Sequence, residues 1–557
     1  MEKILDNNYY DLIISNSLAP TYGTGENITF LNDRLSLLHI PAGSRDGCIL
    51  GRHPYSYFPS IYSLASAVSL EKSGINTVQD NPYLNLFGKN VLVGIIDTGI
   101  DYQHQAFKNS DGTTRIFSIW DQTEQSGERP ESFTFGSEYS RDQINTALQS
   151  EYPLSVVPSV DTNGHGTAIA SIAAGTSNQE QGFSGVASQA DLVIVKVKDA
   201  KKNLKNIFFI PEDILCFQES DVLLAARYLF TVSQRLRKPI AICIAFGTSQ
   251  GGHDGRGAGS RYFDDLALLP GIGISVSAGN EGNDRRHYFN STIAEPFYNN
   301  FELRAGNNDS LFSMEIWTHS PARLSIDISS PNRESTQLVF PAINECRRFN
   351  FIFNQTDILV NNIIFEEDTG DQLILIRFHN TLPGVWRIHV ENIDNGSFSF
   401  HSWLPAGNLI SNETYFLNSN PNTTITSPGN APHILTVTAY NQLIDSIIPE
   451  SSRGYTRNGQ IKPDLAAPGY QIACALPDNQ YGTITGTGAA AAHTAGIIAM
   501  VLEWAIVREN YIRMTGNDIN RLLIRSALRS DTITYPNNTW GYGQVNINRL
   551  FEMLSNI

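Results

Sequence analysis

Four apolar runs constrain this chain more than any other feature. Residues 89–96, 191–197, 239–246 and 272–278 are short, rich in Val and Ile, and most end in Gly, Asp, Asn or Thr. A run without polar alternation suits a strand buried on both faces, as in a parallel sheet covered by helices. Helical segments stand between them: a small-residue helix at 168–174 and an amphipathic one at 221–237, with Leu223, Leu224, Tyr228, Leu229 and Val232 on one side. The reading is an α/β core, extended by a strand at 434–440 and helices at about 488–508 and 516–529.

From about 296 to 405 that alternation stops. Short β-rich segments at 301–304, 313–317, 322–327, 373–377, 385–390 and 397–403 follow one another between turn residues. They predict an inserted antiparallel sandwich or jelly roll. Ahead of the core, residues 1–66 read as a small separate unit with short strands at 10–14 and within 28–38. The expected division is 1–66, 67–295, 296–419 and 420–557, and 557 residues are too many for one core of ordinary size.

The net charge of −16 comes without any Lys/Arg block, so nucleic acid and anionic membranes are poor partners. The opening residues lack a basic stretch followed by an apolar one, so synthesis in the cytoplasm is expected. The longest apolar run, 496–507, is interrupted by Glu503 and is too short to cross a bilayer. Five scattered cysteines without metal spacing read as buried free thiols. No cofactor is expected, and no ligand cluster specifies a metal.

Asp97 closes the first apolar run. A carboxylate there lies where open α/β sheets build their sites, though an Asp also caps loops. His165, between Gly164 and Gly166 at a helix start, suits a catalytic base or a structural role. Asn280, on a Gly-framed turn, suits an oxyanion donor or a turn former. Gly486-Thr487-Gly488 then opens an Ala-rich helix. Such a start presents backbone N–H groups and a positive dipole end, and hydrolases often place a nucleophilic serine on it. Here that position is Gly488.

In order along the chain, Ile96-Asp97-Thr98-Gly99-Ile100-Asp101, Gly164-His165-Gly166-Thr167, Ser277-Ala278-Gly279-Asn280, Ser451-Ser452-Arg453-Gly454, Lys462-Pro463-Asp464-Leu465-Ala466-Ala467-Pro468-Gly469 and Gly486-Thr487-Gly488 resemble the motifs of the subtilisin-like serine proteases, the subtilases. The resemblance covers about residues 70–295 and 420–550. It implies a subtilisin-like parallel-sheet core with an N-terminal α+β prodomain and an inserted jelly roll, the last as a rigidifying clamp more than a glycan binder. It also implies Asp97 as orienting acid, His165 as general base and Asn280 as oxyanion donor.

The nucleophile departs from the pattern. Where the family has Gly-Thr-Ser-Met-Ala-Ser-Pro-His, this chain has Gly486-Thr487-Gly488-Ala489-Ala490-Ala491-Ala492-His493. Ala168 also replaces a usual His, and Phe246 is expected to narrow the first substrate pocket. Thr487 is expected to point away from the nucleophile position. Among subtilases the chain is most similar to the Csp proteases of spore germination, and there to the degenerate CspC type. That resemblance implies a pseudoprotease, not an enzyme, that regulates germination. Its implied partners are sibling Csp proteases, the proenzyme of a cortex hydrolase, and a small-molecule germinant such as a bile salt or amino acid. It further implies a protein made in the mother-cell cytoplasm and carried into the spore, that keeps its prodomain attached. No coiled coil or other association motif is visible in the sequence, so a monomer is expected. The alternative is an active endopeptidase with a non-standard nucleophile, or an engineered inactive form.

Overall fold

A computed structural model describes residues 2–22, 27–42, 49–64, 73–343, 345–353 and 355–555. The expected boundary at residue 66 lies outside the described residues. At the centre is a nine-stranded sheet running Ser446–Ile447, Leu435–Asn441, Ile272–Ser277, Ile240–Ile244, Leu92–Asp97, Asp191–Lys196, Ile116–Asp121 and Ser137–Ser140, with Leu465–Pro468 also on Leu435–Asn441. The inner pairs are parallel, and Ser137–Ser140 and Ser446–Ile447 close the path antiparallel. All six residues of Leu92–Asp97 are buried, which explains the unbroken apolar run. Helices Glu219–Leu236 and Ala258–Ala267 contribute to the core on one face, and His165–Ala174 and Thr487–Leu502 to that on the other.

Every residue of Thr487–Leu502 is buried. With its π turn, Glu503–Val507, the helix is long and apolar enough to cross a membrane by length and composition, but most of it lies inside the protein. It begins nine residues before the apolar run singled out in the sequence, because Ala and Thr, weakly apolar, fill its first turns.

The inserted unit starts at His287, ahead of the expected 296. His287–Thr292 pairs with Phe398–Trp403 at one edge of a six-stranded antiparallel sheet. Its second sheet has four strands: Leu324–Ser329, Gly384–Asn392, Tyr298–Ala305 and Tyr415–Phe416. Trp386, Ile376, Phe378 and Phe301 are among the side chains packed between the sheets. Asp357–Ile363, a strand unanticipated from sequence, carries two buried asparagines. Asn362 donates to Leu324 O and Val339 O, and Asn361 accepts from Arg377 at 2.6 Å. These polar side chains read as turn formers until their partners are known.

The N-terminal unit is a three-stranded antiparallel sheet, with Leu35–Pro41 between Tyr9–Ser15 and Ile28–Phe30. Alternate residues go to different cores. Ile13, Leu35 and Leu37 pack with Leu223 and Val222 of helix Glu219–Leu236. Tyr10, Leu12, Ile14 and Leu38 pack with Trp317, Leu373 and Trp403 of the inserted unit. The sheet is therefore covered on both faces rather than free-standing. Cys346 is disulfide-bonded, unlike the free thiol expected, whereas Cys216, Cys243 and Cys474 are free and buried; Cys48 lies outside the described residues.

These seams can be probed in two ways. Leu12→Ala, at a side chain 1% exposed, should cost about 2–5 kcal/mol in denaturant unfolding, since it empties space between two units. Burial pushes the Glu366 carboxyl, in the inserted unit, up to about 7. The folded state thus keeps a proton that the unfolded chain releases above about 4.5. Stability from this group is present below that value and is lost as pH rises through 7. Thermal melts should show Glu366→Gln gaining on the native chain as pH goes from about 4.5 to 7.5.

Candidate active site

Asp97 ends its strand fully buried, and His165 opens helix His165–Ala174 after Gly164, whose φ is +84°. His165 Nδ1 lies 2.8 Å from Asp97 Oδ1 and 3.0 Å from Oδ2. Gly166 permits the close approach: a β-carbon there would stand 2.2 Å from Gly99 O. Asp161, not singled out from sequence, fixes this geometry. Its Oδ1 accepts from Gly164 N and Thr98 Oγ1, and its Oδ2 from Thr167 N and Oγ1. Thr98 Oγ1 in turn accepts from Gly166 N at 2.9 Å. One buried carboxylate thereby ties the strand end to the helix start. The signal was its place three residues before Gly164, which suits an Asx-type cap.

The Gly turn ends at Gly486, φ +141°, and helix Thr487–Leu502 begins at the next residue. Asn280 Oδ1 accepts from Thr487 N at 3.1 Å and Thr487 Oγ1 at 3.0 Å. Thr487 Oγ1 also accepts from Gly279 N at 3.2 Å. The threonine hydroxyl is thus engaged by the Asn280 turn. Gly488 follows, with no side chain. His493 is buried in the same helix, with Nε2 on Ser73 Oγ, and burial holds its pKa down at about 3.

Ile61–Leu64 forms the middle strand of a three-stranded sheet, antiparallel to Phe217–Gln218 and to Phe246–Gly247. Phe246, expected to narrow the first pocket, instead sets its ring edge-on against buried Tyr62 at 5.6 Å and near Phe217 at 5.9 Å. Glu219 supports the strand from below, accepting from Tyr62 Oη, Ser60 N and Gly259 N. Its carboxyl is raised by burial. Glu219 was also missed, since it reads as an ordinary helix N-terminal acid.

A strand-borne Asp, a helix-opening His and an Asn on the neighbouring turn define a subtilisin-type site. The chain matches the subtilase family over residues 88–296 and 390–543, and it belongs to that family. Among solved structures it is similar to the CspB protease of Clostridium perfringens, at 30% identity and a TM-score of 0.78, covering 87% of this chain and 97% of that one. Among characterised proteins, C5a peptidase of Streptococcus pyogenes is 22% identical over 481 residues, 82% of this chain. The tomato (Solanum lycopersicum) subtilisin-like protease SBT3 is 24% identical over 480 residues, 74% of this chain. The alignments span only 39% of that C5a peptidase and 55% of SBT3.

Asp161→Ala should lower unfolding free energy by about 3 kcal/mol, because it strands several buried donors at once. Denaturant melts of the variant beside Asp161→Asn check this, with Asn recovering part of the loss.

Proposed function

We propose that this chain is a catalytically inactive subtilase of the Csp branch that regulates spore germination. In this role it relays a small-molecule germinant, of the bile-salt or amino-acid kind, to a sibling protease that activates a cortex hydrolase. The observation that carries the reading is Gly488: the acid and base are paired, and the position the family gives to the nucleophile has no oxygen. A serine protease triad works as a unit, and in subtilisin, a member of this chain's family, loss of the serine costs on the order of 10⁶ in rate. Three adjacent replacements, Ala489, Ala491 and Ala492, stand where the family has Met, Ser and Pro, which fits relaxed selection on catalysis. Retention of Asp97 and His165 fits packing, since breaking a buried pair leaves an uncompensated polar group.

The same reading makes residues 1 to about 66 a prodomain that stays attached, and the inserted unit a jelly-roll clamp. Similarity to the C. perfringens CspB protease supports the branch. The competing reading, an endopeptidase with an unusual nucleophile, has only the retained pair in its favour.

Intact-mass measurement of the purified native chain and of Gly488→Ser tests the proposal. The native chain should remain full length. A native chain cut at its own prodomain junction, near residue 66, with contaminating protease excluded, overturns it. Shedding of the N-terminal segment by Gly488→Ser alone would show that the scaffold lacks only its nucleophile.

A further inference from the structure

Helix Lys202–Phe208 of the central unit packs against both of the other units. Leu204, Ile207 and Phe208 share one apolar core with Tyr10 of the N-terminal sheet and Leu373 of the inserted unit. Beside this helix the three units leave a cavity of about 420 Å³. That volume suits a small organic molecule, and junctions between units are where such sites often lie. Among the described residues, none that lines the cavity belongs to the Asp97–His165 site.

The inserted unit supplies one wall from a single face of its six-stranded sheet. Arg348 stands opposite Leu359, and Asp357 opposite His379, so strand alternation turns all four the same way. Leu359, Tyr10 and Ile207 are buried and make the aliphatic and aromatic floor. Phe209, which ends the helix, adds a second ring. It holds φ +55° and ψ +51°, left-handed backbone that a bulky residue seldom adopts. Such a conformation persists only where the surroundings fix it. Here the Arg377 guanidinium lies 5.6 Å from the centre of the Phe209 ring, and His379 meets that ring edge-on at 6.1 Å.

The polar atoms of the cavity are unevenly served. Lys202 pairs with Glu212 at 2.8 Å, and His379 with Asp357 at 3.6 Å. The Arg348 guanidinium has no such partner among the described residues, so the wall carries one cation to spare. On the helix side Asn203 donates from Nδ2 to Tyr9 O at 2.8 Å, but its buried Oδ1 accepts from nothing among the described residues. A buried acceptor left without a hydrogen is costly, so an occupant that brings one is favoured.

We propose that this cavity is a binding site for a small amphipathic carboxylate. Its carboxylate pairs with Arg348, its apolar body lies against Phe209, Ile207 and Leu359, and a hydroxyl or amino hydrogen on it reaches Asn203 Oδ1. The charges decide against a cation, because both acids in the wall, Glu212 and Asp357, already have basic partners. All three units contribute to the site, so occupancy stabilises their junction. The site is argued from the cavity alone, and a germination signal bound elsewhere would leave it standing.

Isothermal titration of the full native chain with phenyllactate tests the proposal. Two further probes run beside it: phenylpropionate, which lacks the hydroxyl, and phenethylamine, which carries an ammonium in place of the carboxylate. One-site binding of phenyllactate is expected, weaker by about tenfold or more in Arg348→Gln, where the charge-assisted bond is lost. Phenylpropionate should bind several-fold more weakly than phenyllactate, and phenethylamine more weakly still. Arg348 is exposed, so its variant should fold; Phe209→Gly, which suits a positive φ, gives a second variant with the same expected loss. Absence of saturable phenyllactate binding to the native chain overturns the proposal, and so does undiminished binding to both variants. Phenethylamine binding as tightly as phenyllactate overturns the assigned charge, and equal affinity for the two acids overturns the role of Asn203. None of these outcomes depends on whether Gly488→Ser cleaves itself.

Discussion

The structure depends on one close approach: the Ala-rich helix Thr487–Leu502 lying sealed against the central sheet. A β-carbon on Gly273 of the sheet would stand 2.3 Å from Ile498, and one on Gly496 of the helix 2.4 Å from Val186. Only small residues allow such contact, and interiors packed to crystal-like density transmit any added volume. The helix start is therefore placed by contacts along its whole length, not by the turn that leads into it. That accounts for the geometry around Gly488 surviving with no side chain there. The dipole end, the Asn280 contact and the Asp97–His165 pair are consequences of packing that has its own reasons to persist.

The N-terminal sheet shows a second constraint. Its side chains alternate between the helix Glu219–Leu236 and the inserted unit, so both faces are apolar seams. Tyr55 Oη donates to Glu315 at 2.5 Å, and Lys201 reaches Asp11 at 2.8 Å across these seams. The pairing of Asp11 with Lys201, His39 and Gln218 keeps a buried carboxylate satisfied where burial alone would neutralise it. The three units thus share their interiors.

Much of the core was legible because its strands are buried on both faces and its motifs sit at strand ends. Asp97, His165, Asn280 and the turn at Gly486 could be placed from those signals, and the structure brings Asp97 to His165 and Asn280 to Thr487. What stayed hidden has a common cause. Glu219 acts through partners distant in sequence, reaching Ser60 across 159 positions, and Asp161 reaches Thr98 across 63. Buried polar residues such as Asn361 and Asn362 look like turn formers until those partners are known. Phe246 was misjudged for a related reason: its identity was visible, but the direction of its ring was set by Tyr62, a residue of another unit.

The double-sided burial of the N-terminal sheet sets an order of events during synthesis. Tyr9–Ser15 emerges early, but Trp317, Leu373 and Trp403, which cover one of its faces, come some 300 or more residues later. At ribosomal rates of about 5–20 residues per second, that face waits on the order of tens of seconds for its cover. Contacts so far apart in sequence also carry a large loop-closure cost before they repay it. The first segment made is among the last to be finished, and its apolar strand is the part of the nascent chain most in need of protection from other molecules.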